Sequence, residues 1–167
     1  MLLHIFSRRD YADYVRNFIF GVEDSLVSTV GLLSGIAVAH ASIKTIITTG
    51  TVLIAVEALS MGIGSYLSEQ SVAEYRSQRN WREPAIAGTI MMFSYLLAGL
   101  IPLSPYIALT GNQAFWGSIA SSLISLLILG FLSARLLNGK VWRNSLRMLA
   151  FGGLAILIGT AVGSLAK

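Results

Sequence analysis

The chain has 167 residues, 54% of them hydrophobic and only 12% charged, with a formal net charge of +4 and no cysteine. So low a charged fraction excludes an ordinary soluble domain and points to a membrane protein. The missing thiols exclude disulfides and thiolate metal sites, and the positive charge lies in short clusters between apolar runs, which marks membrane topology rather than a nucleic-acid-binding face.

The opening segment "MLLHIFSRRDYADYVRN" is too broken by charge to be a signal peptide. Crossing a bilayer as a helix takes about 20 mostly apolar residues. Five runs reach that length, at about 17–40, 46–68, 85–108, 114–134 and 147–166. The prediction is an all-α, polytopic membrane protein with five transmembrane helices in one domain spanning 1–167. The first run holds "FGVEDSLVSTVGLLSG" (Phe20–Gly35), which carries Glu23 and Asp24. The second holds "EALSMGIGSYLSEQ" (Glu57–Gln70), which places Glu57 in an apolar stretch that begins at Ile46 and Met61 one helical turn later. The polar connection that follows, Glu69–Pro84, reads as solvated helix ends. Pro84 suits the first turn of the third helix, and Pro102 and Pro105 fall near that helix's far end. Thr110–Gln113 and Leu137–Lys140 read as short turns. From Pro84 to Ala134 no residue is charged, so the third and fourth helices, and the fifth beyond Arg147, read as scaffold.

Basic residues set the orientation. Arg8, Arg9, Arg16, Arg76, Arg79, Arg82, Arg135, Lys140, Arg143 and Arg147 fall on one side of the predicted spans, and only Lys44 and Lys167 on the other. The positive-inside rule therefore places the N-terminus in the cytosol and the C-terminus outside.

The acids within the spans demand an explanation, because an ionised carboxylate at the bilayer centre costs about 3 kcal/mol on insertion scales. Glu23 lies near the predicted cytosolic boundary, where it can reach water or a basic partner. Glu57 has no such partner: Lys44 is thirteen residues away, about 20 Å along the helix. Glu57 must then be protonated, hydrogen-bonded to polar groups, or facing a cation. Counting from the predicted helix ends puts Asp24 and Met61 at similar depth, with Glu57 about 6 Å deeper. Met61, at i+4 from Glu57, projects from nearly the same face. Carboxylate oxygens with a thioether sulfur form a mixed hard and soft ligand set, which favours a transition metal over Mg²⁺ or Ca²⁺. Asp24, Glu57 and Met61 are the candidate metal ligands, and Glu23 and Glu69 a candidate entrance. Small residues recur at GxxxG-like spacing, at Gly31 and Gly35 in the first helix and at Ala58, Ser60, Gly62 and Gly64 in the second. Such spacing permits close helix approach, either within one bundle or between chains.

These motifs resemble those of the vacuolar iron transporter family, which includes yeast Ccc-type and nodulin-like members. "FGVEDSLVSTVGL" (Phe20–Leu32) is similar to the family's first-helix pattern and "ALSMGIGSYLS" (Ala58–Ser68) to its second. "REPAIAG", "GLIPLSPYIAL" and "SLRMLAFGGLAILIGTAVG" are similar to later family segments. The resemblance implies a homodimer of five-helix chains, with the first and second helices at the interface, that moves Fe²⁺, and often Mn²⁺, out of the cytosol with protons as coupling ion. By motif, Asp24 takes the place of the family's first-helix Asp and Met61 that of its second-helix Met. The chain departs from the pattern at Glu23 and Ser25, which replace the common Asn and Gly, and at Ser65, which replaces a common Glu. Glu57 lies two turns from that position on the same helix. Many relatives insert a glutamate-rich metal-binding domain between the second and third helices, and this chain is a short form without it. The expectation is a metal exporter working by proton antiport, with no prosthetic group, embedded in the lipid bilayer of a prokaryotic cytoplasmic membrane. A membrane metal sensor or assembly partner is the rival. No nucleophile–base pair or His cluster suggests an enzyme: His4 and His40 lie at opposite ends of the chain.

Overall fold

A computed structural model folds the chain into five helices: α1 (Arg8–Val38), α2 (Ile43–Tyr75), α3 (Arg82–Ala108), α4 (Gly111–Leu136) and α5 (Val141–Leu165). The structure describes residues 8–75, 81–137 and 139–166, with side chains from residue 12 onward. His4, Arg76, Arg79 and Lys167, and the side chains of Arg8 and Arg9, lie outside the described residues. All five helices are long and apolar enough to cross a membrane.

Apolar composition explains why these segments are helical in lipid, where each backbone N–H and C=O must find its partner within the segment. Helices α1 and α2 run well past the predicted spans. At 33 residues α2 is about 50 Å long, against a hydrocarbon thickness of about 30 Å. The surplus on both helices lies at the end of the bundle where α1 begins, which also carries Arg82, Arg135, Arg143 and Arg147. There Arg16 forms ion pairs with Asp13, at 3.4 Å, and with Glu69 of α2.

Helix α3 passes through both of its internal prolines. Pro105 has no N–H to give the carbonyl of Ile101, and Ser104 Oγ donates to that carbonyl instead, at 2.9 Å. Ser118 of α4 donates to the Pro102 carbonyl at 2.7 Å. Ser104 thus serves the carbonyl that Pro105 leaves without its helical donor, and the helix continues through both prolines.

Helix α1 touches all four others, whereas among the described residues α2 packs only on α3 and lightly on α1. Leu26, Val30 and Leu33 of α1 are fully buried, as are Tyr95 of α3 and Leu126 of α4. The small-residue motifs find partners inside the chain. A Cβ on Gly35 would lie 2.7 Å from the Gly159 carbonyl oxygen of α5, and Cβ atoms on Gly159 and Gly163 would collide with the carbonyls of Gly31 and Gly35. Gly62 of α2 meets α3 in the same way: a Cβ on Gly88 would lie 2.6 Å from the Gly62 carbonyl. Ser60 and Gly64 instead face outward, and no atom comes within 4 Å of a Cβ built on Gly64.

Candidate metal-binding layer

One partly buried hydrogen bond marks the relative height of α1 and α2. Ser65 Oγ on α2 donates to Asn17 Oδ1 on α1 at 2.6 Å. The helices are antiparallel, so residues further along α1 face residues earlier in α2. Asp24 lies seven residues beyond Asn17, a rise of about 10 Å, and Glu57 lies eight before Ser65, about 12 Å. The two carboxyls therefore sit within about one residue of the same level, and the charge of Glu57 acts on Asp24. Met61 stands one turn nearer the basic end, level with Gly21. Counting from predicted helix ends places Met61 beside Asp24; counting from the Asn17–Ser65 contact places Glu57 there, because both helices overshoot those ends.

Asp24, Glu57 and Met61 are all half-buried. Asp24 borders two hollows on the outer face of α1 against α5. One, of about 370 Å³, is lined by Phe20, Glu23, Phe151 and Leu154, and the other, of about 590 Å³, continues past Ser28 and Gly31 to Ala39 and Ala166. Asp24 thus borders an open flank of the bundle between α1 and α5, and Glu57 lines neither hollow. Among the described residues no three His, Cys, Asp or Glu side chains converge on one point, so one chain brings two carboxylates and a thioether to this region.

Glu23 is within electrostatic reach of both Asp24 and Arg147 of α5, and Glu69 is held by Arg16. Each candidate entrance acid therefore has a basic neighbour. Sequence reading missed Tyr95 and Ser28. The Tyr95 hydroxyl, buried in α3, is hydrogen-bonded to Ser28 Oγ at 2.7 Å, and the Tyr95 carbonyl accepts from Ser25 Oγ at 2.6 Å. Tyr95 feels the charges of both Asp24 and Glu57. The one available signal was the spacing of Ser28, at i+4 from Asp24 on the same helical face.

Five apolar helices and a layer of paired acids on two of them define an integral, multi-pass membrane protein. The chain belongs to the VIT family, whose family model matches residues 15–83 and 72–164. It is 28% identical over 166 residues to Vacuolar iron transporter homolog 3 of Arabidopsis thaliana, covering 92% of this chain and 82% of that one. It is 24% identical over 205 residues to Vacuolar iron transporter 1 of Oryza sativa subsp. japonica, covering 86% of this chain and 81% of the relative. Both relatives are plant proteins named as vacuolar, which lends no support to the expected prokaryotic cytoplasmic membrane.

Proposed function

We propose that this protein transports a divalent transition metal, Fe²⁺ and also Mn²⁺, out of the cytosol in exchange for protons. The observation that carries the reading is the pair Asp24 and Glu57, two half-buried acids at about the same level among apolar helices. An acid in apolar surroundings holds its proton, whereas a divalent cation displaces it and takes the carboxylate. Metal entry then expels protons and metal exit restores them. Names of the plant relatives support iron as cargo, and the clustered basic residues support a cytosolic N-terminus. The test is uptake of Fe²⁺, Mn²⁺, Co²⁺ and Zn²⁺ into proteoliposomes that hold an internal pH dye. Metal uptake with opposite proton movement supports the reading; binding without flux would assign the chain to a sensor.

The working unit in this proposal is a homodimer with α1 and α2 at the two-fold axis. One chain has too few ligands, and Asp24 borders an open flank of the bundle, where only lipid or another protein can cover it. A second copy supplies the same residues again by symmetry, giving four carboxylates and two thioethers. Because the chain has no cysteine, single cysteines are clean probes. Ser60→Cys on the exposed face of α2 should crosslink between chains in membranes, and Ser125→Cys on α4 should not. The reverse result overturns the arrangement.

Met61 stands one turn from the acid pair and contributes the soft ligand. Met61→Leu keeps its bulk and removes the sulfur. The expected result is retained proton coupling with about a tenfold loss of preference for Fe²⁺ over harder ions such as Mn²⁺, read from competition uptake. Unchanged selectivity would make Met61 a packing residue.

A further inference from the structure

Asn17 is 5% exposed, far more buried than an amide on a helix surface. Its Nδ2 donates to the Asp13 carbonyl, one turn back on α1, at 2.9 Å. That bond orients the amide and leaves Oδ1 to accept from Ser65 of α2. The Asn17–Ser65 bond joins two short, uncharged side chains, so it tolerates little sliding. The neighbouring Arg16–Glu69 pair is a poor substitute, because the Arg16 side chain is 63% exposed and exposed ion pairs on long side chains contribute at most about 1 kcal/mol. Otherwise α2 packs mainly on α3, as at Ile54 and Gly62, and meets α1 again at the far end, where Gly50 lies against Leu33; an apolar contact of that kind has no directional bond to fix the register.

A slip of one helical turn between α1 and α2 is about 5.4 Å. It would put Asp24 opposite Met61 in one direction or Leu53 in the other, and no carboxyl pair would remain. We propose that Asn17 and Ser65 are positioning residues whose hydrogen bond holds α1 and α2 in the register that levels Asp24 with Glu57. The inference rests on reading those two acids as the metal layer. An ionised carboxylate has no proton to donate to Asn17 Oδ1, so Ser65→Glu should impair the layer.

Two readouts test the proposal. In the otherwise cysteine-free chain, Asp24→Cys/Glu57→Cys should be bridged within one chain by a short bis-maleimide, read as a shift of the monomer band. Adding Ser65→Ala should slow that bridging at least fivefold, and Ser65→Thr, which keeps the hydroxyl, should restore it. An unchanged rate with Ser65→Ala overturns the proposal. This arm does not depend on transport, so it stands or falls apart from the functional reading. In the native-acid protein, Ser65→Ala should raise the KM for Fe²⁺ about tenfold with little change in maximal flux. On a Glu57→Gln background it should raise KM no further. A fall in maximal flux with unchanged KM, or an undiminished effect without Glu57, would show that Ser65 acts elsewhere. Should Ser65→Ala fold poorly in a thermal melt, Asn17→Gln moves the amide by one methylene and is read in both assays, with the same outcomes deciding.

Discussion

Glu57→Gln is expected to give a well-folded protein whose metal flux is much reduced. Gln matches Glu in size and keeps an acceptor oxygen, but it carries neither charge nor titratable proton. Glu57 is half-buried in the middle of a membrane helix, level with a second acid, and an unpaired charge at the bilayer centre costs about 3 kcal/mol. Removing that charge should leave stability unchanged or raise it. Transport should respond in the opposite direction. Loss of outer partners around metal ligands already weakens sites by roughly 10–100-fold, and loss of a ligand itself should lower flux by at least about tenfold. Metal-driven proton release should fall in parallel, because the amide has no proton to exchange for metal. Asp24→Asn should behave alike. In the unsubstituted protein, acidifying the metal-loading side should slow uptake, since protons compete for the deprotonated ligands; the residual flux of Glu57→Gln should be less sensitive to pH. Proteoliposome uptake beside a thermal melt makes the comparison. A folded Glu57→Gln protein with normal flux and normal proton release would remove the basis for the proposed function.

Five helices were legible in the sequence because a 20-residue apolar run has few other fates. Their ends were not. Helix α1 begins at Arg8 rather than near 17, and α2 continues to Tyr75 rather than 68, because the extensions are mixed in polarity and leave no hydropathy signal. That error moved the expected depth of Met61, since depth was counted from those ends. Gly31 and Gly35 announced a close approach but not their partner: α5 supplies it with Gly159 and Gly163, some 130 residues away in the chain. Glu57 stood out as an acid without a nearby base, and Asp24 by its motif. That Asp24 borders an open flank between α1 and α5 depends on how five helices are arranged around one another, which periodicity along one helix does not contain. Tyr95 looked like any aromatic residue in a scaffold helix until its hydroxyl was placed against Ser28.

The seam between α1 and α5 should be the part of the bundle least tolerant of added volume. A Cβ on Gly159 would drive into the Gly31 carbonyl and one on Gly163 into the Gly35 carbonyl, and in both cases the obstacle is backbone, which has no rotamer to change. The two helices must then separate along their contact. Overpacking of this kind costs about 1–3 kcal/mol, so Gly159→Ala should lower Tm by several degrees, at roughly 2–4 °C per kcal/mol for a chain of this size, and Gly159→Leu by more. Gly153 lies on the same helix with nothing within 4 Å of a built Cβ. There Ala improves helix propensity by up to about 1 kcal/mol, so Gly153→Ala should leave Tm unchanged or raise it. The opposite signs of two identical substitutions six residues apart isolate packing from propensity. Separation of α1 from α5 also shifts the groove wall that Asp24 borders, so Gly159→Ala should reduce metal flux even at temperatures where the protein stays folded. Equal melting temperatures for Gly159→Ala and Gly153→Ala would mean that α1 and α5 do not meet at their glycines.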